Sequence, residues 1–284
     1  MGLYLAAIAM AVLGSTLHAG MVGLGDLPGG GPELNSTAYD ITPDGLFIVG
    51  FGSGENNPRG AGTEAVRWRM SASGSVLALE PLGDLPGGDF NSEARAVSAD
   101  GTVAVGIGAG AGGSEAIRWT DGVGMESVRE LLITGGVDMT GWTLTQATGI
   151  SDNGTKIVGN GTNPDGVSQA WVVDLSSTVT AFTPLTPNGA GETSLADEIS
   201  NDGNVIVGTS GSSGIRWAAD GTILTVLPVA PPPTPPDRRP GTPGSEKQFP
   251  SNQNLPEWPC HLYPCPYSHI TNTRRNTPCE LHSA

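Results

Sequence analysis

Short runs of alternating apolar and polar residues, each bounded by a glycine-bearing turn, recur from residue 38 to residue 227. Four segments align without a gap: Ala38–Gly50 (AYDITPDGLFIVG), Ala94–Gly106 (ARAVSADGTVAVG), Ala147–Gly159 (ATGISDNGTKIVG) and Ala196–Gly208 (ADEISNDGNVIVG). Each opens on Ala, places Ile or Val three residues on, then Ser or Thr, then Asp-Gly or Asn-Gly, and closes a β-branched run on Gly. A period of roughly 50 residues is the mark of a repeat architecture. The Asp/Asn-Gly pairs suit a tight turn needing positive φ, and the runs that follow are too short for a stable helix and rich in strand formers. Each unit therefore begins as an antiparallel hairpin.

A third strand follows in each unit. Glu64-Ala65-Val66-Arg67-Trp68 and Glu115-Ala116-Ile117-Arg118-Trp119 are near copies, and Gly214-Ile215-Arg216-Trp217 is a shorter version. The third unit reads Gln169-Ala170-Trp171-Val172-Val173, with Val172 where the others carry Arg. Alternation along a strand puts Val66 and Trp68 on one face and Arg67 on the other. A fourth strand shows in Val76–Leu79 and Ile223–Leu227. The third link departs from the pattern: Ser127 with Glu130 has capping-box spacing, Val128, Leu131 and Leu132 share a helical face, and Gly135-Gly136 ends it. One short helix is expected near 128–134.

Four strands per roughly 50-residue unit predicts an all-β fold, a β-propeller-like array of four four-stranded repeats. A β-sandwich is the alternative, because regular short strands with turn signals fit it too. An extra strand at Met21–Leu27 is expected to pair with the last unit and close the ring.

Composition changes the picture at both ends. Residues 1–19 carry an apolar run from Met1 to Leu13, too short to span a bilayer but suited to a secretory signal peptide. Residues 229–284 hold 13 of the 23 prolines and all three cysteines, with no sustained apolar period, and read as a disordered tail. Between them, the four-repeat β domain of residues 20–228 contains no Cys, no His and one lysine, Lys156. A Ser-His-Asp or Cys-His nucleophile and a His- or Cys-ligated zinc site are thereby excluded from this body. The formal net charge of −15 argues against a nucleic-acid partner, since phosphate binding relies on Lys and Arg.

The heptapeptide LGDLPGG occurs twice, at Leu24–Gly30 and Leu82–Gly88. Followed by Asn-Ser-x-Ala, the Asp-Gly hairpin, Val-x-Val-Gly and Ala-[VI]-Arg-Trp, it resembles the HAF-repeat family of secreted bacterial proteins. The full pattern covers Leu24–Trp68 and Leu82–Trp119, and the resemblance in its looser form extends over roughly residues 21–227. It implies an extracellular repeat protein with no catalytic residues to carry over. Members of that family often end in an apolar anchor with a basic cap, whereas this chain ends in its Pro- and Cys-containing tail.

The candidate chemistry is sparse. Asp44, Asp100, Asp152, Asn153, Asn201 and Asp202 sit at the hairpin turns, but no window meets the D-x-[DN]-x-[DN]-G calcium pattern, and turn chemistry accounts for them. Arg67, Arg118 and Arg216 can form a ring of guanidinium groups facing a carboxylate or sulfate on a ligand, or can pair with Asp or Glu and stack on aromatics between units. Trp68, Trp119, Trp171 and Trp217 suit a packing layer. Cys260, Cys265, His269, Cys279 and His282 in the tail lack the tight C-x₂-C spacing of a structural zinc site. No metal and no cofactor are expected. The expectation is a non-catalytic, secreted or surface-associated repeat scaffold, with no membrane span in the mature chain, binding an extracellular glycan or protein through rim loops such as Gly108–Ser114. The alternative is an extracellular glycan-active hydrolase using paired carboxylates.

Overall fold

The computed structural model describes residues 21–27, 35–53, 62–176 and 179–227. The expected signal peptide and the Pro-rich tail with its cysteines and histidines lie outside the described residues. The first sheet is β1 (Ser36–Ile41), β2 (Phe47–Gly52), β3 (Glu64–Met70) and β4 (Val76–Gly83). The second is β5 (Gly87–Val97), β6 (Val103–Gly110), β7 (Gly113–Thr120) and β8 (Gly124–Ser127), followed by α1 (Val128–Thr134). The third comprises β9 (Thr143–Ile150), β10 (Lys156–Thr162), β11 (Ser168–Ser176) and β12 (Val179–Pro184). The fourth comprises β13 (Ser194–Ile199), β14 (Val205–Ser210), β15 (Ser213–Ala218) and β16 (Ile223–Leu227). Every sheet is an antiparallel meander in chain order. Four separate four-stranded sheets in series are a propeller-like array; a sandwich would divide the strands between two sheets.

The repeated hairpin has a repeated internal wiring. In the second unit, Ser98 donates its hydroxyl to Asp100 at 2.7 Å, Asp100 accepts from the Thr102 N–H at 3.0 Å, and the Val103 N–H donates to Ser98 Oγ at 3.0 Å. Thr42–Asp44, Ser151–Asn153 and Ser200–Asp202 make the same set. The glycines behind them, Gly45, Gly101, Gly154 and Gly203, have φ of 72°, 72°, 71° and 71°, a conformation that only glycine adopts without strain.

The glycine that closes each unit answers to a different constraint. The first strand of every sheet bulges at the residue after its Ala, where the register skips Tyr39, Arg95, Thr148 and Asp197. Gly50, Gly106, Gly159 and Gly208 lie opposite those bulges. A Cβ at any of them would overlap a backbone carbonyl across the ladder: that of Thr37, Glu93, Gln146 or Leu195.

The core lies between the sheets. Val49, Ala65 and Leu82 of the first sheet and its exit meet Ala94, Val97, Ala104 and Trp119 of the second. Val103, Val105 and Ala116, with Val128 and Leu132 of α1, meet Leu144, Ile150, Ile157 and Trp171 of the third. Val158, Ala170, Val172 and Leu185 meet Ile199, Ile206, Ile215 and Trp217 of the fourth. The Trp of each later unit thus packs against the unit before it. Polar bonds cross the same seams: the Ala65 and Ala170 N–H groups donate to Ser92 and Ser194 Oγ, at 3.0 and 3.1 Å. Successive turns also join backbone to backbone, Ala99 N–H to Asp152 O and Asp152 N–H to Asn201 O.

Residues Met21–Leu27 form no strand and do not pair with the fourth sheet, contrary to the expectation of a ring-closing strand. They lie against the first sheet instead. Leu27 is buried with Val66, Trp68 and Met70; Gly25 O accepts from Ser36 Oγ and Asp26 from Ser53 Oγ. The second heptapeptide does the corresponding work, Gly83 O accepting from Ser92 Oγ at 2.6 Å. The motif is a clamp on the following sheet: its Asp accepts from its own next residue, Leu27 or Leu85, and its other oxygen accepts from Ser53 or from Asn91 of β5.

Candidate functional site

The three arginines separate in space. Arg67 is almost wholly buried in the seam between the first two sheets. Its Nη1 donates to Gly101 O at 2.6 Å, its Nε and Nη2 to Glu80 Oε2 at 2.9 and 2.6 Å, and its guanidinium lies between the rings of Phe47 and Trp119. Arg118 is half-buried, and its Nε has no hydrogen-bond partner. Arg216, on the last sheet, is exposed. The fold therefore does not gather them on one surface. At the same position in the third unit, Val172 fills the seam against Trp217 by apolar contact alone.

The turn carboxylates are also committed locally. The hydroxyl of Thr42 holds Asp44 below the usual carboxylate pKa, helped by the Leu46 N–H, and Ser200 with the Asn204 N–H does the same for Asp202. Burial opposes ionisation of Asp100, yet bonds from Thr102 and Ser98 outweigh it and its pKa is lowered too. Among the described residues, no group of three or more His, Cys, Asp or Glu is placed to hold a metal ion.

Glu198 departs from this pattern. The residue is exposed overall, and its Oε1 lies 2.6 Å from where a Cβ on Gly149 of β9 would stand. Burial raises its pKa first; the Ile199 N–H works the other way, and repulsion from Asp40 and Asp197 adds to the rise. Asp40 and Glu198 occupy the same repeat position, where the middle units carry Ala96 and Gly149.

Among the described residues, a concave feature with apolar lining arises where the repeat is interrupted. A cleft of about 450 Å³ opens between the rim of the second sheet and α1. Leu85, Pro86, Met125 and Leu131 form its apolar part, and Glu115, Glu126 and Glu130 bring carboxylates to it. Each wall has a local cause. Ser127 caps α1 by accepting from the Glu130 N–H at 3.4 Å, while Val128 and Leu132 anchor the helix in the seam and leave Leu131 at the cleft. Gly110 lets Glu115 fold back over the β6–β7 turn, since a Cβ there would overlap its carboxylate. Glu130 pairs with Arg129 at 3.1 Å; among the described residues neither Glu115 nor Glu126 is in an ion pair. The sequence marked both the helix and the Gly108–Ser114 connection, but not that they share a cleft with Leu85 and Pro86 from the second heptapeptide.

No family model matches the chain, and no curated protein matches it either. Among solved structures it is similar to TolB from Acinetobacter baumannii, at 19% identity and a TM-score of 0.44, over 67% of this chain and 42% of that one. It is similar to a putative TolB from Agrobacterium tumefaciens at 19% identity and 0.43, over 70% and 63%. Prolyl oligopeptidase B from Galerina marginata follows at 10% identity and 0.36, over 68% and 35%. The matched region spans less than two thirds of each of those chains.

Proposed function

We propose that the chain is a non-catalytic, exported binding scaffold, and that the cleft between the second sheet and α1 is its ligand site. The observation that carries this reading is an apolar floor ringed by carboxylates at the one link that breaks the repeat. Elsewhere the repeated residues are occupied by turns, seams and clamps, and function on a rigid repeat resides in its irregular connections. The lining contains no aromatic ring to cover a sugar face, so of the two partner classes a protein fits better than a glycan. An aliphatic stem ending in a cation matches the site: methylenes against Leu85 and Leu131, an ammonium or guanidinium between Glu115 and Glu126. Export is supported by the signal-like start and the HAF-repeat resemblance.

Titrating the protein with short peptides that interleave Lys and Leu tests this by isothermal calorimetry. Binding is expected to weaken at least tenfold in Leu131→Asp and in the Glu115→Gln/Glu126→Gln pair, and to fall with added salt. Binding that ignores both substitutions overturns the assignment of the cleft. Turnover of a glycan by the protein, abolished by either single Glu→Gln change, would make it a hydrolase instead.

A further inference from the structure

The three seams are copies of one contact: the trailing face of one sheet against the leading face of the next. Its two halves are present once more, at the ends of the array: on the first sheet Leu24 and Leu27 cover Val66 and Trp68 but leave the first strand open, and on the fourth sheet the trailing side is open. On the leading face, Val97, Ile150 and Ile199 are each at most 7% exposed, while the corresponding Ile41 of the first sheet is 53% exposed. Ala94, Ala147 and Ala196 are fully buried, whereas Ala38 is exposed. On the trailing face, Val49, Val105 and Val158 are fully buried and Val207 of the fourth sheet is 40% exposed. Leu185, which pairs with Ala170, is fully buried; Leu227, which pairs with Gly214, is 52% exposed. The turn glycines agree. Gly101, Gly154 and Gly203 each abut a side chain of the preceding sheet, namely Phe47, Val103 and Lys156, while nothing lies within 4 Å of where a Cβ on Gly45 would stand.

We propose that these two faces associate head to tail between copies of this chain, the trailing face of the fourth sheet in one copy covering the leading face of the first sheet in another. The chain itself states what each half fits, because each has the same residue types as a half that is paired three times within it. Ile41 enters the place of Val97 or Ile150, and Val207 that of Val49 or Val158. Such a contact is heterologous, so it propagates through the second open face of every copy added.

Sedimentation velocity across a hundredfold range of concentration tests this on the full chain. The wild type is expected to grow beyond the monomer as concentration rises. Ile41→Asp and Val207→Asp should each remain monomeric, with wild-type circular dichroism as the folding control; Ala38→Glu replaces Ile41→Asp if that variant unfolds. Mixing the two single variants should restore dimers and nothing larger, since one intact half survives on each. A wild type that stays monomeric throughout overturns the proposal, as does a mixture that gives no dimer, or association unchanged in the single variants. An intramolecular disulfide in Ile41→Cys/Val207→Cys, made with the three native cysteines changed to Ser, would show closure within one copy and also overturn it. None of these readouts involves the α1 cleft, so this proposal and the binding proposal fail separately.

Discussion

The guanidinium carbon of Arg67 lies 4.6 Å from the centre of the Trp119 ring, and the same side chain donates to the carbonyl of Gly101 at 2.6 Å. A residue of the first unit thus grips both the strand and the turn of the second. Glu80, 2.6 Å from Nη2, supplies the counter-charge within its own sheet. A buried guanidinium is stable only with such complete pairing.

Arg67→Ala is therefore expected to destabilise the protein by about 2–4 kcal/mol, through lost stacking on Trp119 and a Gly101 carbonyl left without its charged donor, Glu80 keeping its ion pair with Arg69. Arg67→Lys should recover only part of this, because an ammonium cannot serve Gly101 and Glu80 in one plane. Urea unfolding of the two variants gives both numbers. Equal stability of Arg67→Ala and wild type would remove Arg67 from the seam's energetics.

Gly208→Ala is expected to cost about 1–3 kcal/mol, the range for forcing extra atoms into a packed site, since its Cβ meets the Leu195 carbonyl. Gly112→Ala is the control, with open space at the corresponding atom. Thermal unfolding should separate the two clearly, with Gly112→Ala within about 0.5 kcal/mol of wild type.

Asp44, Asp100 and Asp202 have folded-state pKa values below the usual carboxylate value of 3.8. Their contribution is thus present above that value and lost as pH falls through the lower, folded value. Glu198, raised above 4.5 by burial, acts in the opposite sense: its contribution holds at low pH and is lost as pH rises through the raised value. Asn153 fills the same turn position without a charge. Asp44→Asn and Asp202→Asn should accordingly keep the turns and flatten the acid limb of the stability curve. Unfolding midpoints between pH 2 and 5 would show it, and an unchanged acid limb would contradict it.

Ser127→Ala is expected to cost about 1 kcal/mol by removing the cap of α1. If the cleft is the ligand site, the same change should weaken peptide binding several-fold, because Leu131 and Glu130 lie on the helix it steadies. Helix loss without any change in binding would separate α1 from the site.

Local chemistry was legible in the sequence wherever a few adjacent residues carry the constraint. The Asp/Asn-Gly turns, the period-2 strands, the α1 cap and the placing of Val66 and Trp68 opposite Arg67 all depend on φ preference and alternation, which act within one strand or turn. The tertiary structure decided what depends on neighbours distant in the chain. It showed that Gly50, Gly106, Gly159 and Gly208 answer to bulges on the partner strand, and that residues 21–27 clamp the first sheet instead of closing a ring. It also placed Leu85 and Leu131 in one cleft, and left Ile41 and Val207 open where their repeat equivalents are buried. The shared positions of a repeat carry similar apolar residues in every unit, such as Ile41, Val97, Ile150 and Ile199, so those positions do not distinguish an end from a middle. Burial does, because it depends on whether another sheet stands beside the face.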